Sequence, residues 1–203
     1  LGLLQARDGS LWIGTQQHGV ARWANGTLTW YDGDDDVPYK SVRDIYQTDD
    51  GTIWISTSGG GIARFDGDHF TPVTPADGLP HRSIHLIREA PKGVFWMSSN
   101  GGVFRVLRSQ VEAVADGRQD RLYAQTFGTV DGMPARECNG PIHPVFGKDN
   151  KDRLWFPTVD GLAVVDSRSP KLAVPDSLPV RITALRIDGQ THPLDSLRFA
   201  PST

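Results

Sequence analysis

The sequence holds a single cysteine, Cys138, so no disulfide can close within it and cysteine usage does not reveal a redox compartment. No apolar run approaches the length of a membrane-spanning helix. Basic residues are not in surplus either. The 21 Lys and Arg stand against 24 Asp and Glu, a net charge of −3, so no positive field is available to attract nucleic acid or anionic lipid. No Walker loop or dinucleotide fingerprint is present, and Gly59-Gly60-Gly61 runs into a strand pattern, not a helix, which excludes a phosphate cradle there. The longest charge run, Asp34-Asp35-Asp36, reads as a solvated turn. Apolar residues, by contrast, are ample at 38%, and with 22 glycines they give a globular and not a disordered composition.

What the sequence does have is repetition. Leu11-Trp12-Ile13-Gly14-Thr15 is echoed by Ile53-Trp54-Ile55-Ser56-Thr57, Phe95-Trp96-Met97-Ser98-Ser99 and Leu154-Trp155-Phe156-Pro157-Thr158, with the tryptophans 42, 42 and 59 residues apart. Shortly after each comes a glycine that opens a second apolar stretch, at Gly19, Gly61, Gly102 and Gly161. Turn residues precede each tryptophan: Asp8-Gly9, Asp50-Gly51, Lys92-Gly93 and Lys151-Asp152. Short alternating runs rich in β-branched and aromatic residues, closed by glycine turns, predict strands. In the second unit these fall near Val42–Gln47, Ile53–Thr57, Gly61–Phe65 and His69–Val73. Four strands in one unit match a propeller blade. The expected fold is therefore all-β, a partial β-propeller of four four-stranded antiparallel blades over residues 1–166. Trp12, Trp54, Trp96 and Trp155 are expected to act as wedges between blades.

Two units are irregular. The first aligns Leu1 with Arg43, so it is expected to lack its opening strand and the chain to start inside a blade. The fourth is stretched by 17 residues, which are placed between Ala115 and Thr129 and again around Arg136–Pro141. Pro157, in a strand position, is expected at a bulge or an edge. Residues 167–178 read as a Ser- and Pro-rich linker, and the alternating run from Pro179 to Gly189 reads as the first strand of a separate β domain covering 179–203.

These motifs resemble the two-component regulator propeller family, in Asp8-Gly9-Ser10-Leu11-Trp12-Ile13-Gly14-Thr15, in Gly60-Gly61-Ile62 and in Asp77-Gly78-Leu79-Pro80. The stretch from Phe127 to Gly140 is similar to the elongated last blade of such propellers, and Pro179 to Gly189 to the opening strand of the immunoglobulin-like, three-tyrosine domain that follows them. The resemblance implies a periplasmic sensing region of a receptor. Its membrane span and histidine kinase or diguanylate cyclase output would lie outside this sequence, and a homodimer is compatible with it.

For chemistry the sequence offers little. His81 and His85 are spaced i, i+4, as in a helical zinc site, but the repeat places His85 on a strand and His81 in a turn, so no metal and no cofactor are expected. Glu137, Cys138, Asn139 and His143 contain a nucleophile, an acid and a base, but catalysis needs thiol and imidazole to meet in space and lower the thiol pKa, and Cys138 reads as a small apolar filler. Asp8, Asp49 and Asp50 recur at blade turns, where turn formation accounts for them. The expectation is a non-catalytic sensor that binds a small-molecule or glycan ligand through Arg136, Glu137, Asn139 and His143, with no nucleic acid partner. The alternatives are a propeller enzyme acting on carbohydrates or lactones, and a scaffold for protein contacts.

Overall fold

The turns set the frame of each sheet. The computed structural model describes residues 2–32, 37–140 and 145–168, together with the backbone of 185–187 and 190–192. Four antiparallel sheets succeed one another along the chain. The first contains β1 (Leu3–Gln5), β2 (Leu11–Gly14), β3 (Val20–Ala24) and β4 (Thr27–Tyr31). The second contains β5 (Val42–Gln47), β6 (Ile53–Thr57), β7 (Ile62–Phe65) and β8 (Phe70–Val73). The third contains β9 (Ile84–Glu89), β10 (Val94–Ser99), β11 (Gly102–Leu107) and β12 (Gln125–Phe127), and the fourth β13 (Gly147–Lys148), β14 (Arg153–Thr158) and β15 (Gly161–Asp166). Strands pair in chain order within every sheet, which is the meander of a propeller blade. In a separate unit, Ala173–Thr203, β16 (Leu185–Ile187) pairs with β17 (Gln190–His192).

One hairpin device recurs in all four sheets. The hydroxyl that closes the tryptophan strand donates to the carbonyl of the repeat glycine: Thr15 to Gly19 (3.1 Å), Thr57 to Gly61 (3.0 Å), Ser99 to Gly102 (3.0 Å) and Thr158 to Gly161 (3.0 Å). In three of them the same oxygen also accepts a backbone N–H from within the turn, from His18, Gly60 and Gly101. Glycine is required at this place on two counts. Its φ is positive, and in the first three sheets an added Cβ would collide with a carbonyl at the outer strand, that of Tyr31, Val73 or Phe127.

Blades join through the tryptophans. Trp12 stacks on Tyr31 of its own sheet and meets Phe65 and Phe70 of the next edge-on, at centroid distances of 4.8 and 6.0 Å. Trp54 reaches Phe95 in the third sheet at 5.3 Å, and Trp96 packs on Phe156 in the fourth at 6.4 Å. All three are buried, and each sits in a cluster built from two neighbouring sheets. Trp155 is half-buried, with Arg153 over its ring. Two polar links reinforce these contacts. Asp44 on β5 accepts from Ile87 N–H and from Arg88 on β9, and Arg7 donates to Gln47 and to the carbonyls of Thr48 and Asp49.

The structure departs from the sequence expectations in several places. The opening strand of the first sheet is shortened to β1, not missing. The fourth sheet shows three strands among the described residues, not four. The first half of the insertion belongs to the third sheet, because it lies between β11 and β12 and forms a helix, α1 (Arg108–Ala115). Spacing between tryptophans could not reveal which blade held the extra residues. The helix forms from good helix formers, carries an Arg108–Glu112 pair at i, i+4, and buries Val111 in the core between the second and third sheets. Pro157 lies in register with Leu162 inside β14, and on the strand's other side it adjoins the isolated Cys138–Thr158 bridge, next to an irregularity as expected. Its carbonyl accepts from Asn139 N–H, so its missing N–H falls on that irregular side and the ladder to β15 loses nothing. Asp152, at the position of the turn glycines, adopts their left-handed conformation with φ of 61°.

Candidate functional site

The inner strands β5 and β9 each carry a β-bulge near their start. Beside them runs the segment from Glu137 to Gly140, held by Cys138 N–H to the Ser99 carbonyl (3.1 Å), Asn139 N–H to Pro157 (2.8 Å) and Val159 N–H to the Glu137 carbonyl (3.1 Å). Together they enclose a cavity of about 300 Å³ whose lining includes Arg43, His85, Asn100, Glu137, Cys138 and Asn139.

His85 is the most enclosed polar group there, at 4% exposure. Its Nε2 lies 2.7 Å from Asn100 Oδ1, while its Nδ1 and the Nε of Arg43 are buried without hydrogen-bond partners. Burial holds the His85 pKa below its ordinary value against the opposing pull of Asn100, and the charge of Arg43 adds to the lowering. Gly140 must be glycine, because an added Cβ would stand no further than 2.7 Å from three ring atoms of His85. Cys138 is buried, and desolvation pushes its thiol up to about 11, far from the range of a reactive thiolate.

Of the residues singled out from the sequence, Glu137 and Asn139 line this cavity. Glu137 is exposed, and Asn139 is half-buried with its Nδ2 donating to the Thr158 carbonyl at 3.1 Å. Arg136 turns to the other side of Asn100. There its Nε donates to the Gly101 carbonyl (3.0 Å) and it lines a neighbouring cleft of about 400 Å³ with His81 and Thr126. His143 lies outside the described residues. His81 and His85 do not share a cavity, and His81 Nδ1 accepts from Ser83 N–H at 3.0 Å. A wider cleft of about 680 Å³, between Gln16 and Tyr39, has no buried unpartnered side-chain atom in its lining.

Arg43, His85 and Asn100 were missed as site residues in the sequence. The signal was available for two of them. Arg43 follows Val42 and His85 follows Ile84 at the same place in the repeat, and each sets a polar residue into an apolar strand.

Stacked meander sheets wedged by tryptophan, with a polar cavity at the inner strands, define a β-propeller segment. Residues 36–59 match the family model described as Two component regulator propeller, and the other sheets are built on the same pattern as the one that holds them. Among solved structures the chain is similar to an extracellular domain assigned to the hybrid two component system BT3049 of B. thetaiotaomicron. The identity is 19% and the TM-score 0.66, over 96% of this chain and 26% of that one. It is also similar to the corresponding domain of BT4673 from the same organism, at 20% identity and TM-score 0.68, over 84% of this chain and 24% of that one. Virginiamycin B lyase from Staphylococcus aureus resembles it at 17% identity and TM-score 0.52, over 81% of this chain and 54% of that one. At these identities the likeness is one of fold. The chain spans about a quarter of the two extracellular domains. No curated protein sequence matches it.

Proposed function

We propose that this chain is part of the periplasmic, non-catalytic sensing propeller of a transmembrane signalling receptor, and that it passes ligand binding to a cytoplasmic output module. The observation that carries this reading is the regulator-propeller repeat at 36–59, set within successive sheets of the same build. Two of the similar solved structures, described as extracellular domains of two component systems, support it. The receptor is a homodimer; the expected linker at 167–178 and the expected immunoglobulin-like start at 179–203 lie largely outside the described residues. The ligand is a small molecule or a glycan, bound at the ends of the inner strands. Relay requires a ligand that favours one of two receptor states.

The reading puts the membrane span outside the described residues, among which no helix is long and apolar enough to cross. Alkaline phosphatase and green fluorescent protein, fused in turn after Asp166 in the parent gene, test it. An active phosphatase with a dark fluorescent fusion is expected. A bright fluorescent fusion with an inactive phosphatase overturns it.

A further inference from the structure

The bulges of the inner strands repeat, and they place chemistry. Val42 pairs with Thr57 and Asp44 with Ser56, which makes Arg43 the extra residue on β5. Ile84 pairs with Ser99 and Leu86 with Ser98, which makes His85 the extra residue on β9. In the fourth sheet Cys138 faces Thr158, the register of Val42 and Ile84, so Asn139 takes the same position. A bulge re-aims its side chain out of the strand's alternation. Three successive blades thus deliver Arg43, His85 and Asn139 to one cavity.

That cavity contains groups in want of partners. With Asn100 Oδ1 accepting from Nε2, the neutral His85 ring presents Nδ1 as a bare acceptor. Gly140 does not cover that lone pair. Its Cβ position is close to Nδ1, Cε1 and Cγ alike, which puts it over the ring face and not along the in-plane lone pair of the buried Nδ1. Arg43 and Glu137 carry opposite charges on the same cavity, and neither forms an ion pair among the described residues.

Resting on the sensor reading, we infer that the cavity binds a small zwitterion of the α-amino acid class, with Arg43 taking the carboxylate and Glu137 and His85 Nδ1 taking the ammonium group. A guanidinium is suited to a carboxylate, and an ammonium N–H supplies the donor that Nδ1 lacks. A neutral sugar would leave both charges unmatched. A simple anion or cation would meet one charge of its own sign.

The test is calorimetry and thermal shift on the full-length protein, with free α-amino acids, their N-acetyl and methyl-ester derivatives, and neutral sugars. At least one free amino acid is expected to bind and to raise Tm. Derivatives lacking either charge, and the variants Arg43→Gln and Glu137→Gln, are expected to bind about ten- to a hundredfold more weakly. Glu137 is exposed, so Glu137→Gln should keep the ligand-free Tm and separates loss of binding from loss of fold. Absence of binding by every amino acid, equal binding of a sugar by wild type and Arg43→Gln, or chemical conversion of the ligand overturns the inference. Receptor output that follows another molecule and survives both substitutions sinks this site and leaves the sensor reading standing. Amino acid binding with no change in output does the reverse.

Discussion

Replacing Trp54 tests the wedge between the second and third sheets. The side chain is fully buried and meets Phe95 edge-on at 5.3 Å, in a cluster that includes Ile84, Ile87 and Phe104 of the third sheet. Trp54→Ala removes that volume at a place where two rigid sheets cannot close the gap. It should cost about 3–5 kcal/mol, including about 1 kcal/mol for the edge-on pair. The tryptophan N–H gives a finer contrast. Trp54 Nε1 has no partner, whereas Trp96 Nε1 donates to the Ala90 carbonyl. Trp54→Phe therefore sheds an unpaired buried donor, worth about 1–3 kcal/mol, and this offsets the smaller volume so that the net cost stays within about 1 kcal/mol. Trp96→Phe loses a made bond as well as volume, and should cost about 2–3 kcal/mol. Urea unfolding followed by tryptophan fluorescence and circular dichroism, with equal m-values across the set, reads these differences. A Trp54→Ala cost under about 1.5 kcal/mol, or Trp54→Phe costing as much as Trp96→Phe, would refute the reasoning.

Gly61→Ala should destabilise by about 2–4 kcal/mol, since it strains a positive φ and drives a Cβ into the Val73 carbonyl. Gly161→Ala, whose Cβ would only touch Pro134 at 3.6 Å, should cost about 1–2 kcal/mol, and thermal melts compare the two. Because the pKa of His85 is depressed by burial, with Arg43 and His81 pushing down and Asn100 and Glu137 opposing, the unfolded chain takes up its proton first. The stability contributed by neutral His85 is complete above its unfolded value of 6.5 and falls as pH drops below it, so Tm of the wild type should decline more steeply there than that of His85→Gln. Cys138, buried with its thiol raised to about 11, should resist iodoacetamide at pH of about 8 in the folded protein and react in urea; rapid labelling of the folded form would count against it.

Much of the architecture was determined by the sequence alone, because a repeat constrains every copy at once. Tryptophan and hydroxyl recur at fixed spacing with the glycine soon after, and β5, β6, β7 and β8 start within a residue of where alternation predicts them. The candidate site was only partly legible. Glu137 and Asn139 stood out because they lie in an insertion, but Arg136 faces the neighbouring cleft. Arg43 and His85 lie in regular repeats, 42 residues apart, with nothing local to mark them as neighbours. Helix α1 was missed because a short run within an all-β repeat is held as helix by burial of Val111 between two sheets, a contact that no spacing rule encodes. Local pattern decides strands and turns, since their hydrogen bonds close within a few residues. Which side chains share a cavity depends on how one blade stacks on the next, and that was decided only by the tertiary structure.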